Sequence, residues 1–320
     1  MRLATRDNGT PDGELILVSA DATRCLPAGS DWPTLLATLE RWEAALPALH
    51  AVAARLVGGA GEPLDPAALR APLPRTWQWL DGSAFPTHGE LMQQAFNHAP
   101  IETDKPLMYQ GLSHQFLSPT EDAPFPSEGD GIDFEGEFGV VTGAVPMGCT
   151  AEQALAHVRL IVLINDWSLR TLAPAEMKTG FGWIQAKPAC SAAPFAVTPD
   201  ELGDAWRDGR VCLKLTVAVN GAWFGSPVGD AMAYGFHELI AHAAYSRSLP
   251  AGTILGSGTV SNADHAVVGS TCLSERRAIE RIAYGEFRTP FLRAGDRVTM
   301  RAGEGASPFG TIDQQVTLAR

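Results

Sequence analysis

Two stretches carry the most regular patterning in the chain. In Gly131–Val141, GIDFEGEFGVV, the acids Asp133, Glu135 and Glu137 alternate with Phe134 and Phe138. A period of two predicts a β-strand with one apolar and one acidic face. In Leu160–Arg170, LIVLINDWSLR, an apolar run of strand character stops at Asp166. Further strands are predicted at Arg2–Thr5, Glu14–Ser19, Leu107–Tyr109, Val211–Val219, Thr253–Leu255, Ile279–Ala283 and Arg297–Met300. Asp31–Leu56 has helical spacing, with Leu35, Leu36, Leu39, Trp42, Leu46 and Leu49 near one face. Shorter helices are predicted at Glu90–Phe96, Thr150–His157 and Phe236–Ser246. Thr150 with Gln153 fits a capping box.

Strands at this spacing, with few crossover helices, predict a mixed and mainly antiparallel β-rich fold, not a doubly wound sheet. Gly58–Pro74, rich in Gly and Pro, reads as a linker. It divides a small N-terminal unit, residues 1–74, from a larger domain, residues 75–320.

Composition narrows the partners. With 24 Lys plus Arg against 36 Asp plus Glu, the net charge is −12, which disfavours nucleic acid and anionic membranes. A small anionic substrate stays compatible if local cations offset that field. The five cysteines, Cys25, Cys149, Cys190, Cys212 and Cys272, show no C-x-x-C spacing, which suits free thiols in a reducing cytoplasm. No apolar leader opens the chain, and no apolar run approaches the ~18 residues of a membrane span.

The acidic pattern is the candidate chemistry. Alternate strand residues on one face lie only ~6.5–7 Å apart, so neighbouring carboxylates there repel and need solvation. A wet strand face is one solution and a bound cation another. With neither Cys nor His in the pattern, the cation would be hard and oxygen-liganded: Mg²⁺, with Ca²⁺ or Mn²⁺ as alternatives. Asp81 and His88 occur in DGSAFPTH, either a turn before a helix or a metal ligand and a general base. Lys187, in GWIQAKPACSAAPF, reads as a partly buried substrate-orienting lysine or a snorkelling one. Arg170 follows Asp166 by four residues, as a carboxylate clamp or an i,i+4 ion pair on a helical turn. Gly256–Ser261, GSGTVS, offers backbone N–H groups to an anion, or is a simple turn. His237–His242 has one residue too many for a zinc-protease motif: five residues turn a helix ~500°, leaving the two rings ~140° apart. His50, His98, His114, His157 and His265 lack a partner pattern and are expected on the surface or in the core. No G-x-S-x-G elbow or phosphate loop occurs.

Taken in order, these residues resemble the fumarylacetoacetate hydrolase family over Thr76–Arg320. The resemblance rests on E-x-E at Glu135 and Glu137, Asp166 in NDWS-x-R at a 29-residue interval from Glu137, KP at Lys187–Pro188, SGT at Ser257–Thr259 and the close GEFRTPFLRAGDRVTM. Within the family it is to bacterial members labelled 2-oxo-4-pentenoate hydratase or 2-oxohepta-3-ene-1,7-dioate isomerase-like. It implies a mainly β chain with α+β elements: a mixed β-roll catalytic domain, a small N-terminal β/α domain and a homodimer. It further implies Glu135, Glu137, Asp166 and Asp81 as ligands of a divalent metal, and His88 as the base. Tyr109, Arg170, Lys187 and Thr259 would hold the substrate. Departures fall on the proton-transfer pair. The glutamate that orients the family's histidine falls at Leu273, with Glu275 two residues on; in shorter members the corresponding position is Leu91, with Glu90 one short. A pocket glutamine falls on Ala173 and a lysine on Gln110.

The expected function is metal-dependent cleavage of a C–C bond in a 1,3-dioxo acid such as an acylpyruvate, with aromatic catabolism as its setting. The alternatives are a hydratase, isomerase or decarboxylase of a 2-oxo acid, or a metal-dependent oxo-acid binding protein without catalysis.

Overall fold

The computed structural model describes residues 1–97, 99 and 103–319; His98 lies outside the described residues. The chain is mainly β with α+β elements. One large mixed sheet runs, in spatial order, through Glu62–Pro63, Arg24–Pro27, Glu14–Val18, Arg2–Arg6, Ala196–Val197, Val158–Asn165, Gly136–Thr142, Ile254–Gly256, Trp79–Gly82 and Met108–Gln110. A second, five-stranded sheet is ordered Ala222–Gly225, Leu215–Val219, Arg297–Ala302, Thr311–Leu318 and Ala123–Phe125. Most pairings are antiparallel; Ile254–Gly256 with Trp79–Gly82 is a parallel exception.

The central strands are buried on both faces. Phe138, Val140, Ile161 and Leu163 pack against Leu215, Val217, Val298, Met300 and Ile312 of the second sheet. Val141, Leu160, Val162 and Ile164 face the other way, onto Leu3, Leu35, Trp42 and Leu49 of the N-terminal unit. Burial on both sides explains why Val158–Asn165 is continuously apolar. The N-terminal unit joins the main sheet directly, through Arg2 opposite Val197 and Leu3 opposite Ala196.

Several local expectations are corrected. The helical stretch after Asp31 is two helices, Leu35–Leu39 capped by the Thr34 hydroxyl, then Trp42–Val57. The linker contributes a strand, Leu69–Arg70, to the edge of Arg2–Arg6. The acidic strand breaks into Ile132–Asp133 and Gly136–Thr142, and its acids face no solvent: Asp133, Glu135 and Glu137 are all buried. Asn165 Oδ1 accepts the Glu135 N–H at 3.1 Å across that break. Ile279–Ala283 is not a strand but part of the helix Leu273–Tyr284, which Cys272 caps and Gly285 (φ +79°) ends. Leu273 and Ala278 supply its buried face, and Ala278 packs against Leu91 and Ala95 of the helix Pro86–Phe96.

Sheet register gathers the acids at one end of the main sheet. Tyr109 pairs with Asp81, Asp81 with Gly256, and Gly256 with Gly139, two residues beyond Glu137. Glu137 lies opposite Ile164, two residues before Asp166. Gly256 has to be glycine: a Cβ there would collide with Asp81 Oδ1 and the Trp79 ring and lie 2.8 Å from Glu137 Oε2. Gly256→Ala should therefore destabilise the chain by about 1–3 kcal/mol through overpacking and weaken stabilisation by divalent cations. Thermal melts with and without Mn²⁺ check this, and an unchanged melt in both conditions would contradict it.

Candidate metal centre and base

Three carboxylates converge at that sheet end. Asp81, Glu137 and Asp166 are buried, and one oxygen of each lies within 4.8 Å of the others. Asp81 Oδ1 accepts the Gly258 N–H at 3.2 Å, so the GSGTVS loop turns an amide toward a carboxylate. Thr259, the next residue, is buried beside it. Asp166 Oδ2 accepts from the Tyr109 hydroxyl at 2.6 Å and from Lys187 Nζ at 2.5 Å, and its Oδ1 accepts from Cys190 Sγ at 3.0 Å. Glu137 is the exception: no donor reaches either of its buried oxygens, and the group facing it is the Asp81 carboxyl, which it can bond only through a shared proton.

Glu135 is neutralised differently. Lys187 Nζ donates to its Oε2 at 2.6 Å and to Ser168 Oγ at 2.8 Å, and Arg170 Nη2 donates to Oε1. Arg170 Nε also donates to Asp133 Oδ2 at 2.8 Å. Asp133 in turn accepts the N–H groups of Leu273 and Ser274, at 2.7 and 2.9 Å, anchoring the start of the Leu273–Tyr284 helix, where negative charge is favoured. Arg170 follows the short strand Ser168–Leu169, so it is not on a helical turn and its partners are not Asp166.

The electrostatics divide the acids. Burial opposes a charge on Glu135, but Arg170 and Lys187 hold its carboxyl well below the usual range. Burial, then the Asp81 and Asp166 charges, push Glu137 well above it. Burial and the Asp166 charge push Asp81 up to about 8, and burial raises Asp166 despite Lys187. For Lys187 itself, the Asp166 and Glu135 charges outweigh burial and keep the ammonium protonated. A buried carboxylate without a partner carries a penalty of several kcal/mol. Glu137 therefore needs a proton or a cation. An all-oxygen donor set containing an unpartnered buried carboxylate fits a hard divalent cation.

The base expected at His88 has its carboxylate. His88 Nδ1 lies 3.1 Å from Glu275 Oε2, although the two residues are 187 apart in sequence. The pair forms because the Pro86–Phe96 and Leu273–Tyr284 helices pack together. The shift from Leu273 to Glu275 thus leaves a partner in place. A ring nitrogen of His88 also lies within 4.8 Å of a Glu135 oxygen and Cys272 Sγ. Sequence reasoning missed Ser168, Cys190 and Cys272; the only trace of Cys190 was its place three residues after Lys187. The Tyr109 ring meets Trp183 edge-on at 4.8 Å, and Lys187 Nζ sits 5.3 Å from its centroid. His50 and His114 are exposed and His157 and His265 half-buried, none of them in the cluster.

Two family models match the chain: "Fumarylacetoacetate (FAA) hydrolase C-terminal" over residues 78–317 and "Fumarylacetoacetase N-terminal domain 2" over residues 1–75. A 2,4-didehydro-3-deoxy-L-rhamnonate hydrolase from Sphingomonas sp. is 26% identical over 227 residues, 69% of this chain and 68% of that one. Maleylpyruvate hydrolase from Sphingobium sp. SYK-6, solved with manganese(II) and pyruvate, superposes with a TM-score of 0.67 at 17% identity, each chain fully covered. The 2-hydroxyhepta-2,4-diene-1,7-dioate isomerase of Mycobacterium marinum gives a TM-score of 0.59 at 18% identity, over 99% of this chain and 98% of that one. At those identities the two structures share the fold.

Asp81 gives the site a pH signature. Its folded pKa, pushed up to about 8, exceeds the unfolded value of about 3.9, so folding takes up a proton there. The stability this contributes is complete below about pH 4 and is lost as pH rises toward 8. A divalent cation bound at this cluster would take the proton's place. The Tm gain from Mg²⁺ or Mn²⁺ should therefore be small near about pH 5 and grow until pH passes 8. A gain independent of pH across that window would refute the assignment.

Proposed function

We propose that this chain, which belongs to the fumarylacetoacetate hydrolase family, is a divalent-metal-dependent hydrolase cleaving a C–C bond in a 1,3-dioxo acid of the acylpyruvate type. The observation that carries this reading is His88 Nδ1 at 3.1 Å from the buried Glu275 carboxylate, beside a cluster of buried acids. An isomerase or tautomerase needs only proton movement at carbon. Hydrolysis also needs a base that activates water, and a histidine oriented by a carboxylate meets that need.

Asp81, Glu137 and Asp166, with Glu135 beside them, would hold the cation. Mg²⁺ is the expected ion, while the maleylpyruvate hydrolase relative holds manganese and pyruvate, a 2-oxo acid. Once bound, the cation supplies Lewis-acid stabilisation for the enolate charge that cleavage creates. Lys187 and Arg170, held by Glu135, Asp166 and Asp133, would meet the acid's carboxylate only by giving up one of these contacts once the cation binds those acids, while Tyr109 and Thr259 would line the oxo end. With Nδ1–H donated to Glu275, His88 keeps Nε2 as its accepting nitrogen. That nitrogen takes a proton from water as the oxygen bonds to the distal carbonyl carbon. Glu275 stabilises the resulting imidazolium. The C–C bond breaks to give a carboxylic acid and an enolate, and His88 returns the proton to the enolate carbon. The apolar face at Phe181 and Ile184, 96% and 83% exposed, suits a second copy in a homodimer. The five free cysteines suit a reducing cytoplasm. Among the described residues no helix is long and apolar enough to cross a membrane.

With an acylpyruvate and Mg²⁺, His88→Ala should lower kcat by about 10²–10⁴-fold, and Glu275→Gln by less. Product analysis should find two acids. A hydroxy acid or carbon dioxide in their place would point to hydration or decarboxylation. Equal turnover by wild type and His88→Ala on every acylpyruvate tried would refute the assignment.

A further inference from the structure

The three acids at the sheet end leave a second group of ligand atoms unexplained. His88, Glu135 and Cys272 each offer one ligand atom, and those atoms all lie within 4.8 Å of one another. Their chemistry is unlike the first cluster: one imidazole, one carboxylate and one sulfur, the donor mixture that zinc takes in preference to magnesium. We propose that His88, Glu135 and Cys272 form a second cation site, for Zn²⁺ or a similar soft divalent ion, whose occupation removes His88 from proton transfer. The inhibitory part of this rests on His88 acting as the base; the site itself does not.

Four observations support it. Tetrahedral zinc places its ligand atoms about 3.5 Å apart, so the group needs to close by only about 1 Å. Glu275 already holds His88 Nδ1 at 3.1 Å, and a metal-binding histidine is commonly oriented by a carboxylate on its other nitrogen. Cys272 Sγ sits at the start of the twelve-residue helix Leu273–Tyr284 and accepts the Glu275 N–H at 3.3 Å; burial and the Asp133 charge raise its thiol well above the ordinary range, so an incoming cation has to displace the thiol proton to solvent. The His88 side chain is 15% exposed, which gives the ion a way in. Glu135 stands between this group and the acidic cluster, so the two sites share a wall and differ in ligand hardness.

Cobalt reads the site without turnover. In the full chain saturated with Mg²⁺, Co²⁺ should produce a thiolate-to-cobalt charge-transfer band. The band should be lost in Cys272→Ser and weakened in His88→Ala, and kept in Cys190→Ser, whose thiol lies against Asp166. Serine is itself a good helix cap, so Cys272→Ser keeps the helix start. No band in the wild type, or a band that survives Cys272→Ser, overturns the proposal. In turnover assays with Mg²⁺, Cys272→Ser should raise the zinc concentration for half-inhibition about tenfold or more. Equal zinc sensitivity of the two proteins overturns the inhibitory role. A cobalt band with no hydrolysis of any acylpyruvate would leave the site standing and reject the proposed reaction.

Discussion

Burying several carboxylates together is the constraint on which the rest of this structure depends. Asp81, Asp133, Glu135, Glu137 and Asp166 are all withdrawn from water, while Lys187 and Arg170 are the cations placed among them. Removing one partner from a buried ion pair leaves a charge whose penalty is about 3–5 kcal/mol. The pairing therefore has to be close, and it is: each of the two cations serves two acids. What the cations do not cover is left to Glu137 and Asp81. The electrostatics thus set Glu135, whose carboxylate Arg170 and Lys187 neutralise, apart from Glu137 and Asp81, whose carboxyls burial and their neighbours push upward.

The fold supplies this crowding through strand register. Val158–Asn165 and Gly136–Thr142 are clamped between two apolar layers, so their ends are fixed to within a residue. A slip of one position would turn Glu137 into the apolar layer. The helix pair Pro86–Phe96 and Leu273–Tyr284 sits against that end and contributes the histidine and its carboxylate. A rigid sheet thus holds the acids, and a helix pair at its end presents the histidine with its carboxylate partner.

Much of this was legible in the sequence, for identifiable reasons. Doubly buried strands such as Leu160–Asn165 advertise themselves as unbroken apolar runs, and Asp166 stood out as a charge that such a run does not tolerate unpartnered. The acidic alternation left a wet face and a cation-binding cluster open, since both share one pattern, and only the fold shows that Asp133, Glu135 and Glu137 are buried. Ile279–Ala283 misled because two isoleucines suggested a strand, although their spacing of three, with Gly285 following, is helical. The His88–Glu275 pair was not readable from either residue, because it depends on a contact between helices far apart along the chain. Alignment to a family motif placed the partner at Leu273; only the turn of the helix brings Glu275 round to the ring.

The manner in which the first strand joins the main sheet carries a consequence for modularity. Arg2–Arg6 is stitched to Ala196–Val197, and the leucines and tryptophans behind it roof the apolar reverse side of Val158–Asn165. The leading segment is therefore half of the casing around the reactive end, not an appendage. A chain divided near residue 75 would carry a bare greasy wall, prone to clumping, until some other surface took the roof's place.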